Sequence, residues 1–203
     1  MKQYRTIVVA AVVAMAFSRQ DLIAQSLQRL DIGVVVATST LRELDSHEVG
    51  LGARVGWRLT TMVGVEGDVT FFPADVPSDR AITASRTEAA AGVTIGPRLG
   101  AFRPFGRLRA GVLNMAAAPA PVACIMIFPP PLSCTLAGGR TLFMVDVGGG
   151  VELDLSARAF FRLDAGDRIV RYPGPAFSRD GTRYDDDFSG HDFRFAAGVG
   201  WRF

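Results

Sequence analysis

Two histidines, two cysteines and a run of three aspartates are the residues whose types could do chemistry in this sequence. His191 lies between Ser189 and Asp192, and together they supply the residue types of a hydrolytic triad. A triad needs its side chains to converge, and nothing in a loop-to-strand junction makes such close neighbours do so. His47 precedes Glu48, but no second histidine follows at the spacing of a helical zinc site. Asp185, Asp186 and Asp187 could hold a divalent cation, yet they lack the spaced ligands of a calcium loop and read as a solvated acidic segment. Cys124 and Cys134 have no histidine nearby, which favours a disulfide over a metal site wherever the compartment is oxidising. No G-x-S-x-G and no phosphate-binding glycine loop is present, since Gly148, Gly149 and Gly150 fall inside an alternating segment. No cofactor, no metal and no catalytic residue follow from this inventory.

The compartment is read from the first residues. Lys2 and Arg5 precede an 11-residue apolar run, IVVAAVVAMAF, too short for a membrane-spanning helix of roughly 20 residues. A basic start, a short apolar stretch and small residues near a cut describe a secretory signal peptide over 1–24, with cleavage after Ala24 preferred to Ala16. Residues 25–203 then form one domain. Its net charge is zero, because removing 1–24 takes away Lys2, Arg5, Arg19 and Asp21 from 22 basic and 20 acidic residues. Without a basic run, and with Lys2 the one lysine of the chain, nucleic acid is excluded as a partner.

The rest of the chain alternates with period two, the signature of strands with two unlike faces. Eight such segments follow one another, at 29–38, 49–59, 63–71, 88–99, 105–114, 143–154, 161–169 and 192–203. Each is about 10–12 residues, the length of a tilted strand crossing a bilayer. Short links at 60–61, 102–104 and 155–157 alternate with long ones at 39–48, 73–87, 115–140 and 173–191. That asymmetry predicts an all-β fold, a single eight-stranded antiparallel up-and-down transmembrane β-barrel.

A soluble lipocalin-like barrel has the same period with its faces exchanged, so further features must decide which face is inside. The polar face interleaves arginines and acids with glycine, which suits a crowded interior better than a solvated surface. Arg54, Arg58, Arg98, Arg107, Arg109, Arg162, Arg168, Arg194 and Arg202 can there meet Glu66, Asp68, Asp146, Glu152, Asp154 and Asp164. Buried charges are tolerated when paired, and arginine suits bidentate pairing. Two aromatic girdles are expected as well: Trp57, Phe105, Phe160, Phe161, Trp201 and Phe203 near the short links, and Phe71, Phe72, Phe143, Tyr172 and Phe193 near the long ones. The chain also stops on Phe203 within its last alternating segment. The expected interior is a filled, ion-paired plug, with a narrow water-filled channel as the rival reading.

The final segment AAGVGWRF, with Gly198, Trp201 and the terminal Phe203, resembles the C-terminal targeting signal of bacterial outer-membrane barrels. It departs from that signal at Ala196, where a polar residue is usual. With 52–72, 148–155 and FRLDAGDRIVRY (161–172), the chain resembles the small outer-membrane β-barrel domain family of the OmpA and OmpX type. The resemblance implies a Gram-negative outer membrane as location and lipid and lipopolysaccharide as surroundings. It also implies delivery by the barrel-assembly machinery, a monomeric state and long loops facing outside the cell. It implies little chemistry, although some outer-membrane barrels hydrolyse lipid A. The third long loop then carries the Cys124–Cys134 bridge and an apolar tip at 125–128, which could touch a partner or fold over the barrel mouth.

Overall fold

The computed structural model describes residues 30–44, 46–74, 84–118, 124, 127–178 and 181–203; the expected signal segment 1–24 lies outside them. Eight long strands form the wall: β1 (Leu30–Leu41), β2 (Ser46–Arg58), β3 (Val63–Phe72), β4 (Arg86–Ile95), β5 (Phe102–Met115), β6 (Arg140–Asp154), β7 (Ala159–Tyr172) and β10 (Phe188–Arg202). Each pairs antiparallel with its neighbour in sequence, and β1 closes the ring on β10, placing Val34 opposite Val199 and Val36 opposite Ala197. Closure leaves no free sheet edge. The two-residue strands β8 (Ala176–Phe177) and β9 (Arg183–Tyr184) make a small ribbon in the fourth loop, and a short helix α1 (Leu132–Ala137) lies in the third.

Period two sorts every strand into an outer apolar row and an inner row of charge and glycine. Among the outward side chains Val34, Leu51, Leu108, Phe143 and Val199 are each about half exposed or more, whereas the inward Arg109, Arg168 and Arg194 are at 1% or less. Small residues on the inner row let the strands and their long arginines share so narrow a barrel. A Cβ on Gly92 would lie 2.0 Å from the Leu108 carbonyl oxygen, and one on Gly150 would lie 2.1 Å from that of Leu163.

Several boundaries differ from the sequence expectation. The link at 39–48 is short: β1 runs to Leu41, a single 3-10 turn spans Arg42–Leu44, and β2 begins at Ser46. Inward pairing carries these strands beyond the apolar band, because Ser39 and Glu48 find arginine partners inside. Residues 102–104 open β5 rather than linking strands. Gly96 and Pro97 follow the end of β4 at Ile95, so Leu99 leaves the strand and joins a bridge to Phe102 in the turn. The girdles are also thinner than expected. Phe72, Phe105, Phe160 and Tyr172 point inward and are buried, and the first three stack under the guanidinium groups of Arg86, Arg162 and Arg202. The exposed aromatic belts are Trp57, Phe102, Trp201 and Phe203 at the short-turn end, with Phe161 outward and partly exposed beside them, and Phe71, Phe143 and Phe193 at the long-loop end.

Candidate functional site

The interior is built in layers, each placed by the inward row of several strands. At the short-turn end one carboxylate gathers four arginines: Glu152 of β6 accepts from Arg58 at 3.2 Å, Arg103 at 3.4 Å, Arg162 at 3.3 Å and Arg202 at 3.1 Å. Asp154 below it pairs with Arg202 and with Arg98, and Arg98 stands in the 96–101 turn with its side chain about one third exposed. Arg98 therefore closes the mouth rather than filling the middle, because β4 ends at Ile95, three residues before it.

At mid-height Arg107 grips Asp146 with Nε at 2.8 Å and Nη2 at 3.3 Å and also reaches Asp164. Arg109 bridges Asp68 and Asp146, the latter at 3.1 Å, while Arg54 reaches Asp164 at 3.0 Å. Arg162 holds Glu66 through both Nη atoms, at 2.7 and 3.1 Å, and Arg194 donates to Asp68 at 2.9 Å and Thr70 at 3.1 Å. Above this, Arg168 binds Glu88, Ser39 and Asp192, the last at 3.3 Å, and Arg86 faces Glu48 at 2.8 Å. Among the described residues ten arginines and nine carboxylates are buried in the interior, and Asp154 at the short-turn mouth adds a tenth carboxylate shared by Arg202 and Arg98. A void of about 10 Å³ beside Arg58, Glu66, Arg103, Glu152 and Arg162 is room for about one water.

No family model and no curated protein matches the chain. Solved structures do. Neisserial surface protein A superposes with a TM-score of 0.54 at 12% identity, over 86% of this chain and 96% of that one. The N-terminal β-barrel domain of Pseudomonas aeruginosa OprF gives 0.45 at 14% identity, over 85% and 97%. Ail, the attachment invasion locus protein of Yersinia pestis, gives 0.41 at 16%, over 86% and 97%. This is the fold of the small eight-stranded outer-membrane barrels.

An outer-membrane-type barrel of eight strands has room inside only for side chains. Here the long-loop end of that space is apolar, which the sequence reading missed. Leu41, Leu113, Met115, Leu142, Met144, Val170 and Phe188 form a layer above the ion pairs, and Leu132 and Leu136 of α1 press into it from the third loop. Phe188 stacks on Tyr184 of the fourth loop with centroids 3.7 Å apart. The loops thus cap the barrel. Cys124 and Cys134 are disulfide-bonded across the third loop and tie its approach to α1. Of the expected apolar tip, Ile125 and Met126 lie outside the described residues, Ile127 is about half exposed, and Phe128 is 77% exposed. Replacing Cys124 with Ser is expected to release about 2–3 kcal/mol of restraint from this loop. Limited proteolysis should then cut this loop more readily, and the barrel's denaturant midpoint should fall by the corresponding amount.

The remaining chemical candidates are dispersed. Asp192 points inward to Arg168, while His191 points outward and meets Asp167 at 2.6 Å, with both of those side chains half exposed. Ser189 is outward too, so strand alternation puts the wall between Asp192 and the other two triad types. His47 Nδ1 lies 3.0 Å from Thr40 Oγ1 on the outer rim. Asp185 accepts from Arg183 at 2.8 Å and Asp187 from the Gly174 amide at 3.1 Å, and no metal-ligating group forms among the described residues. Of the C-terminal residues, Gly198 faces inward across from Val35, Trp201 faces outward, and the Phe203 amide donates to the Leu30 carbonyl at 2.8 Å. Ala196 is fully buried between the inward residues of its neighbours.

Arg86, Glu88, Arg103, Glu48 and Asp31 belong to the inward row and were not singled out from sequence. Parity alone could have found Arg103, four and six residues before Arg107 and Arg109 on the same face.

Proposed function

We propose that the chain is an outer-membrane protein of a Gram-negative bacterium, held as a monomer in lipid and lipopolysaccharide. Its role in this reading is structural or interactive, through loops presented outside the cell. The observation that carries this reading is inverted burial along the band of the wall: ten arginines are buried inside, while Val34, Leu51, Val55, Trp57, Leu108, Val199 and Trp201 face outward and are exposed. Water would penalise that arrangement and hydrocarbon rewards it. The outward row from Phe193 of β10 to the terminal Phe203 covers ten residue steps, which at roughly 3.3 Å each and a tilt near 45° gives about 23 Å of height, close to the apolar band of an outer membrane. Gly198, Trp201 and Phe203 are the residues the barrel-assembly machinery would read.

The loops are the working surface of this reading, and the interior is a strut. The buried ion-pair network and the apolar layer under α1 support a closed barrel rather than a channel. The test is conductance: the purified protein in a planar bilayer is expected to give no single-channel steps, and regular steps would transfer the reading to a narrow channel. The lipid-hydrolase alternative lacks a convergent triad at Ser189, His191 and Asp192. Incubation of the barrel with lipid A is expected to leave the lipid's acylation unchanged.

A further inference from the structure

One charged pair of the wall faces outward instead of inward. Asp167 is on the outer row of β7, opposite Val147 of β6 and Phe193 of β10 on the adjoining strands. A carboxylate on a lipid-facing row is costly, and ionisable groups at such positions mark functional sites. The interior network does not use it. Its ion-pair partner among the described residues is His191 of β10, whose Nδ1 lies 2.6 Å from Asp167 Oδ2. A carboxylate accepts, so in the neutral imidazole Nδ1 carries the proton and Nε2 is the basic nitrogen.

Ser189 is the next outward residue of β10 beyond His191, about 6.7 Å along the strand. Rotation about χ1 brings a serine hydroxyl at that spacing within reach of an imidazole nitrogen. Asp167, His191 and Ser189 thus follow one another up a single face as acid, base and nucleophile. Parity removed Asp192 from the other two triad types, and the neighbouring strand supplies an acid in its place. Such a constellation is defined by geometry and roles, not by order in the chain. Arg171 of β7 stands opposite Ser189, outward and exposed, and its Nε lies 3.4 Å from Asp187.

We propose that Ser189, His191 and Asp167 form an ester-hydrolysing site on the outer wall, with a glycerophospholipid as substrate. Phe193, an exposed belt aromatic, is one outward step below His191, so an acyl chain lying along Phe193 and Phe195 brings its ester to the level of the pair. The phosphate then meets Arg171. One cation flanked by the carboxylates of Asp187 and Asp167 suits a single phosphodiester and repels a bisphosphorylated sugar, so lipid A stays intact. Ser189 Oγ attacks the ester carbonyl carbon while its proton passes to His191 Nε2, and Asp167 holds the imidazolium that forms. Nε2 then protonates the departing glycerol oxygen, the C–O bond breaks, and lysophospholipid leaves the acyl group on Oγ. Water gives a proton to Nε2 and attacks that acyl carbonyl; the fatty acid departs and Oγ regains its proton. The sum is one ester and one water to one fatty acid and one lysophospholipid. Ser189 and His191 are the catalytic residues, and Asp167 is a positioning residue. The assignment rests on the outer-membrane reading, which puts this face in lipid.

The test is hydrolysis by the barrel folded in ether-lipid vesicles that contain a varied fraction of phosphatidylethanolamine. Mass spectrometry is expected to show fatty acid and lysophospholipid in equal amounts. Ser189→Ala and His191→Gln, outward changes that leave the wall closed, should each lower the rate at least about a hundredfold. Asp167→Asn should lower kcat about tenfold or more at unchanged KM, with Asp167→Glu recovering part, and Arg171→Ala should raise KM severalfold. A fluorophosphonate probe should add its mass to the unaltered protein and not to Ser189→Ala. An inserted barrel that releases nothing, or equal release from Ser189→Ala, would overturn the site and leave the outer-membrane reading standing. Deacylation of lipid A in place of the phospholipid would overturn the assigned substrate. A protein that never inserts defeats the outer-membrane reading itself.

Discussion

Glu152→Ala is expected to lower the barrel's unfolding free energy by about 3–5 kcal/mol, because it leaves buried arginines without their counter-ion. Arg58, Arg103, Arg162 and Arg202 all converge on this carboxylate; Arg162 and Arg202 each pair with a second one, and Arg58 has the buried Asp31 beside it. Arg103 would be left without an ion-pair partner among the described residues, next to Arg58. Urea titration of the protein folded in lipid vesicles measures the loss as a shift in midpoint. Adding Arg58→Ala to the Glu152→Ala background should recover part of it, since it removes the cation next to Arg103. An unchanged midpoint in the single variant would mean that water reaches this layer freely and that the plug is an open, hydrated lumen.

A charge on the outer wall gives the second large effect. Val147 is on the outward row of β6 between Val145 and Gly149, midway along the apolar band, and about half exposed. Val147→Arg is expected to cost about 2–4 kcal/mol in a bilayer, whereas His47→Arg at the polar rim is expected to cost no more than about 1 kcal/mol. For a water-soluble barrel both substitutions would be surface changes within about 0.5 kcal/mol of neutral. The depth dependence, measured by vesicle-based unfolding of the two variants side by side, separates the two environments.

The wall was legible in the sequence because strand alternation is a local property. Val49, Leu51, Ala53, Val55 and Trp57 declare the outer face of β2 with no reference to any other strand. The arginines interleaved with Gly52 and Gly56 declare the inner one. What alternation cannot give is height. Phe72 and Tyr172 have the aromatic character of a girdle, yet each is one residue out of phase with the outer row, and parity sends them inside. Ser39 and Glu48 read as loop because they stand beyond the apolar band, but their partners Arg168 and Arg86 come from strands distant in sequence, and only closure of the ring brings them together. The apolar layer was hidden for the same reason: Leu113, Met115, Leu142 and Met144 lie at strand ends, and their burial depends on α1 arriving from a loop with no period of its own. The dispersed triad was decided by a single step of parity between His191 and Asp192.

The most direct measurement of the central claim, that the arginine face is inside and the apolar face meets lipid, is gel mobility of the outer-membrane fraction in SDS with and without boiling. A closed hydrogen-bonded wall survives unheated SDS, so the protein is expected in that fraction, with boiled and unboiled samples at different mobilities. Recovery in the soluble periplasmic extract with no mobility shift would contradict the account, leaving the arginines in water and the apolar face around a ligand.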